Sequence, residues 1–139
     1  MDEAAERMNQ LQSNNFGGDI GLVVETLTRD RVVGTLDIQP RHLQPFGIVH
    51  GGVYCAIVES LASLGSVFNT LDQGRVCAGI ENHTSFLRSI SSGTVTGVAV
   101  PVNIGRTTHV WDVEIRDEKE RLVAKGSVRL AVLEPRPPV

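Results

Sequence analysis

Residues 46–71, FGIVHGGVYCAIVESLASLGSVFNTL, contain one acidic residue, Glu59, and no lysine, arginine or aspartate. The spacing predicts a helix from about Gly51 to Thr70, with Val53, Ile57, Leu61, Leu64 and Phe68 recurring on the rows that would face a partner layer. The remaining face carries Cys55, Glu59, Ala62, Ser63 and Ser66, small or polar groups that let another backbone approach closely. So apolar a helix must be covered on nearly all sides. A membrane could cover it, but Gly51-Gly52, Glu59, Ser60, Ser63, Ser66 and Asn69 interrupt the stretch, and no run of about 18 apolar residues survives. The expectation is a buried core helix and no membrane association.

The flanks read as strands. GLVVETLT and RVVGTLDIQ surround the polar turn Arg29-Asp30 as a hairpin, and Pro40 ends the second run. PRHLQPFGIV is a proline-bounded loop leading into the helix. Beyond Gln73-Gly74 come VCAGIENHTSFL, TVTGVAVPVNI, THVWDVEIRD and LVAKGSVRLAVL, separated by turn signals that imply antiparallel neighbours. Trp111, Val113 and Ile115 alternate with Asp112, Glu114 and Arg116, so one face of that strand is buried. Pro101 marks a bulge or an edge. Only by curling around the helix can a single sheet cover it, so the fold class is α+β, an antiparallel sheet wrapped around one long central helix.

At 139 residues the chain is expected to form a single domain, with its core over about 20–133. Residues 2–12 read as a short helix, broken by Asn14-Asn15 and Gly17-Gly18, and the tail 134–139 as frayed. A formal charge of −3 gives no basic face for nucleic acid, and the first seventeen residues lack the charged and apolar regions of a signal peptide. A soluble cytoplasmic protein is expected. Cys55 and Cys77 read as small core residues rather than a disulfide or a metal site.

Burying a carboxylate without partners costs several kcal/mol, so Glu59 needs either a partner or a task. No cation lies three or four positions away; Ser63, one turn on, could hold a water or the carboxylate itself. His50-Gly51-Gly52 opens the helix, where unpaired N–H groups and the positive dipole end favour a developing negative oxygen. Gly51 and Glu59 lie about 12 Å apart along a helix rising about 1.5 Å per residue, too far to serve one carbonyl together. If both act in one reaction, the acid comes from a second, antiparallel subunit, and a two-fold axis then gives two identical sites.

The run Gln44, His50-Gly51-Gly52, Glu59, Ser63 resembles the hotdog-fold acyl-CoA thioesterases of the PaaI and 4-hydroxybenzoyl-CoA thioesterase type, and the likeness extends from about Gly21 to Leu133. The resemblance implies hydrolysis of an acyl- or aroyl-CoA, with Glu59 as nucleophile or general base and the Gly51 N–H polarising the carbonyl. It implies that Gln44 and His50 orient the thioester or leaving group from the glycine's subunit, while Ser63 positions the water from the acid's. Gly52, Arg88, Arg106, Thr107 and His83 are implied to bind substrate or its coenzyme A portion. No metal and no cofactor are implied, coenzyme A being part of the substrate, and self-association as a dimer or a dimer of dimers is expected. His42 and His109 read as surface or packing residues.

Two rivals share the scaffold. A hotdog hydratase or dehydratase also works with a histidine and an acid, but its pattern lacks this spacing from His-Gly-Gly to glutamate. A non-catalytic acyl-CoA binding or sensor protein would keep the pocket and dispense with Glu59; finding both Glu59 and Ser63 argues against it.

Overall fold

The computed structural model describes residues 1–135. Its elements are α1 (Glu3–Gln12), α2 (Phe16–Ile20), β1 (Leu22–Leu27), β2 (Val32–Asp37), α3 (Gly51–Thr70), β3 (Val76–Phe86), β4 (Thr94–Ile104), β5 (Thr108–Arg116) and β6 (Leu122–Leu133). The six strands form one sheet in the order β1-β2-β4-β5-β6-β3, antiparallel throughout. α3 touches every strand, so the sheet wraps the helix as expected. By length and a mean hydropathy of 1.4, Gly51–Gln73 would pass for a membrane span; in the fold it is instead the core helix.

The seat of α3 is cut by missing side chains. Gly34 and Gly97 pair directly across β2 and β4, and a Cβ on either would meet a Leu61 methyl within 2.8 Å. Leu61 therefore drops into a notch in the sheet. Gly65 lies under the Trp111 indole, where an added Cβ would stand 2.6 Å from Cζ2. Trp111, Val113 and Ile115 are fully buried, as their alternation predicts.

The helix is rotated from the expected orientation by roughly a quarter turn. Ile57 and Leu61 are buried, but Val53, Leu64 and Phe68 are only half-buried, while Tyr54, Val58, Ala62, Gly65 and Ser66 are buried. The indole of Trp111 needs small residues opposite it, which draws the small-residue face into the sheet instead of the large one. Burial also claims His42 and His109, 3% and 2% exposed, so both are packing rather than surface residues.

Other departures are local. The N-terminal helix starts one residue late because Asp2 is its cap, accepting the Ala5 N–H at 2.8 Å. The break expected at residues 14–18 overlaps the one-turn α2, which runs on to Ile20 and is closed by Gly21 at φ 81°. Pro101 adjoins a register shift between β4 and β5, as expected. Cys55 and Cys77 are free thiols, both half-buried. Within the expected frayed tail, Glu134 stands 3.1 Å from Arg75 Nε, and residues 136–139 lie outside the described residues.

The two edges of the sheet are treated differently. Along β1, side chains of α1 take the backbone groups a further strand would use: Asn9 both accepts from the Val24 N–H and donates to its carbonyl at 2.8 Å, Gln12 donates to the Leu22 carbonyl, and Asp2 accepts from the Leu27 N–H. Among the described residues, nothing comparable covers β3, whose Val76, Ile80 and Phe86 are exposed.

Candidate active site

The loop before α3 is a small hairpin. Leu43 bridges Val49, the Gln44 N–H donates to the Ile48 carbonyl, and Gly47 turns the chain at φ 82°. His42 anchors it, with Nδ1 accepting from the Gln39 N–H at 2.9 Å and Nε2 bonded to the Ile20 carbonyl at 2.8 Å. With both ring nitrogens bonded to backbone, the orientation of this buried imidazole is fixed. The His50 N–H in turn donates to the His42 carbonyl.

His50 is the N-cap of α3, its Nδ1 accepting from the Gly52 N–H at 2.8 Å. The Gly52 amide is therefore occupied by the histidine beside it. The His50 carbonyl accepts from the Val53 N–H. Among the described residues nothing accepts from the Gly51 N–H, which stands at the positive end of the helix. Gly51 has no side chain because the Phe86 ring fills the space one would need. That ring is half exposed and packs on Tyr54, centroids 6.1 Å apart. Burial, aided by the charge of Asp117, pushes the Tyr54 hydroxyl up to about 12, so it stays protonated. Gln44 is half-buried and folds back on its own turn, its Oε1 accepting from the Phe46 N–H.

Glu59 lies two turns further along α3, half-buried, and no ion pair among the described residues involves it. Each carboxylate oxygen has one neutral donor. Ser63 Oγ donates to Oε1 at 3.3 Å, the expected neighbour holding the acid directly, and Asn82 Nδ2 on β3 donates to Oε2 at 3.2 Å. Asn82 also donates to the Cys55 carbonyl at 3.1 Å and accepts from Thr84 Oγ1 at 2.7 Å. A Cβ on Gly79 would collide with Glu59 Oε1. Asn82 is the site neighbour that sequence reasoning missed.

His83, expected near the same region, is on the other face of the sheet. It pairs with Ser127 and borders an outer hollow with Asp112 and Lys125. The reason is a bulge: the β3–β6 register shifts at Ile80, which turns Asn82 rather than His83 toward α3. Arg88 lies beside Val123 at the start of β6, whereas Arg106-Thr107 lies beside Val132 at its far end. Nine strand residues separate these levels, about 30 Å, so within one chain the two arginines do not meet. A cleft of about 1060 Å³ also lies away from Glu59, between α1 and the C-terminal end of α3 beside Leu11, Phe68 and Leu71. No His, Cys, Asp or Glu cluster with metal-holding geometry occurs among the described residues.

The profile of the thioesterase superfamily matches residues 46–124. Over 124 residues the chain is 45% identical to a Mycobacterium tuberculosis protein designated an esterase, covering 88% of this chain and 89% of that one. The solved structure of that protein aligns with a TM-score of 0.84 over 88% of this chain and 98% of it. The 1,4-dihydroxy-2-naphthoyl-CoA hydrolase of Escherichia coli is 32% identical, with 92% of this chain and 93% of that one covered. Two structures of a Staphylococcus aureus thioesterase align with TM-scores of 0.82 and 0.81 at 28% and 27% identity, covering 85% and 84% of this chain and 98% and 97% of the other. One has a glutamate changed to alanine and the other a glutamine, and the two sites are separated in that chain as Glu59 and Gln44 are here. The wrapped sheet, the His-Gly-Gly helix start and these matches agree: the chain belongs to the thioesterase superfamily and has its hotdog fold.

Proposed function

We propose that the protein hydrolyses the thioester of an acyl-CoA, with Glu59 as nucleophile or general base and the Gly51 N–H receiving the negative charge that develops on the carbonyl oxygen. The observation that carries this is the pairing of a cation-free carboxylate, held by neutral donors on both oxygens, with an unoccupied amide at the start of the same helix. A carboxylate can attack a thioester, or draw a proton from the water that does, because sulfur gives the carbonyl little resonance stabilisation. Collapse of the tetrahedral intermediate breaks the C–S bond and releases the coenzyme A thiol. With water as the attacking group the free acid forms in that step, whereas with Glu59 as nucleophile a mixed anhydride remains, which water then cleaves to the free acid and the regenerated carboxylate. The spacing of glutamine and glutamate shared with the S. aureus thioesterase supports Gln44 and Glu59 as partners in the site.

The site is completed by a second copy. Gly51 abuts Phe86 and Glu59 abuts Gly79, both on the open edge strand β3. Two β3 strands paired antiparallel with Phe86 opposite Gly79 of the second copy would bring that copy's Glu59 over this chain's Gly51. The same two-fold brings Arg106 of one copy toward Arg88 of the other, so phosphates of one coenzyme A could meet both. Gln44 and His50 then act from the glycine side, and Ser63 from the side of the acid.

The test is release of free thiol from a panel of aroyl- and alkanoyl-CoA thioesters. Glu59→Gln is expected to lose at least about 100-fold in kcat with substrate affinity largely kept. Hydrolysis at the native rate in that variant would remove Glu59 from the mechanism. A single turnover in oxygen-18 water separates the two roles, since only a nucleophile leaves label in the Glu59 carboxylate.

A further inference from the structure

We propose that Asn82 is a positioning residue for Glu59, a neutral two-armed clamp that fixes the rotation of the carboxylate and aims its free lone pairs across the β3 edge. This rests on the thioesterase reading of Glu59. The orientation of the Asn82 amide is set by its surroundings. The Cys55 carbonyl and Glu59 Oε2 can only accept, so the NH2 group must face them, and the Thr84 hydroxyl donates to the oxygen on the other side. Both amide hydrogens are thereby committed, one to the helix backbone and one to the carboxylate.

The division of labour follows from geometry. The bond to the Cys55 carbonyl ties β3 to α3 one turn before Glu59, so the second amide hydrogen is delivered at a fixed place. Ser63 occupies the other carboxylate oxygen from the following turn. Between them the two donors stop the side chain from rotating about its long axis, while Gly79 leaves the carboxylate room against the strand. Among the described residues no ion pair reaches Glu59: Glu81 and His83 of β3 pair with Arg129 and Ser127 on the outer register, and the titratable side chains on the inner side of the two elements include Tyr54 and Cys55 on α3 and Cys77 on β3.

Two variants separate this role from simple bracing of the strand. Asn82→Asp keeps size and shape but sets a second carboxylate against the first, so the acid limb of the pH–kcat profile is expected to move up by about one unit or more. Thr84→Val leaves Asn82 in place but removes the hydroxyl that fixes its amide, and should lower kcat about five-fold or more with KM within about three-fold. Thermal unfolding of both proteins shows whether they remain folded at the assay temperature. The titration midpoint of the Glu59 side-chain carboxyl, followed by carbon-13 NMR in native protein and Asn82→Asp, needs no turnover. A higher midpoint in the variant supports the clamp. An unmoved midpoint with both pH limbs unchanged means that Asn82 only braces β3, and overturns it. If native protein released no thiol from any thioester, the thioesterase reading would fail while the NMR comparison still decided the clamp.

Discussion

Gly79 lacks a side chain where the Glu59 carboxylate occupies the space, and this makes it a probe of position separate from chemistry. An added Cβ would strike Oε1, the far end of a flexible side chain that can swing away. Gly79→Ala is therefore expected to change stability by less than about 1 kcal/mol while lowering kcat at least about ten-fold, because the displaced carboxylate loses its bonds to Ser63 and Asn82. Thermal unfolding and thiol release measured on one preparation check both halves. At this scale the sequence carried Glu59 and Ser63, whose i, i+4 spacing is a helical rule, and the His-Gly-Gly start. It did not carry Asn82. Simple alternation from Gly79 would turn His83 inward and Asn82 outward; the extra residue at Ile80 inverts that order, and a bulge leaves no mark in local composition.

Among elements, α3 was legible to the residue, since Gly51 and Thr70 are its observed ends. Its rotation was not, because the face that packs deepest is lined by small residues and hydrophobic periodicity weights large ones. Gly65 is the point where this shows. A methyl there would press into the Trp111 indole, with Cζ2 and Cζ3 at 2.6 and 2.8 Å, and Trp111 is wholly buried, so the ring has nowhere to go. Gly65→Ala raises intrinsic helix propensity by about 1 kcal/mol yet should destabilise the protein by about 1–3 kcal/mol net, since overpacking outweighs propensity. The measurable outcome is a melting temperature several degrees lower, with kcat per folded molecule near native. A rise in melting temperature would show that α3 sits further from the sheet.

For the whole molecule the decisive asymmetry is between the two sheet edges. An uncovered edge strand is a template for pairing, and natural chains cover or blunt the edges they do not use. Here Asp2, Asn9 and Gln12 cover β1, while β3 is left open along the strand that passes both Gly51 and Glu59. If two copies pair through β3 and each site takes its amide from one chain and its acid from the other, two inactive chains can restore one another. Glu59→Gln lacks the acid. Gly51→Pro removes a single N–H at the first helical position, where proline is well tolerated, and His50 before it has the extended backbone, ψ 131°, that a following proline prefers. Phe86→Ala, added to the proline chain, makes room for its ring. Each variant alone should fall by about 100-fold or more. Refolded together in equal amounts, half of the dimers are mixed and each holds one intact site, so about a quarter of native activity should return. Recovery at that level, tracking the mixed dimer on native mass spectrometry, would show a shared site; mixed dimers without recovery would mean that each chain supplies its own amide and acid.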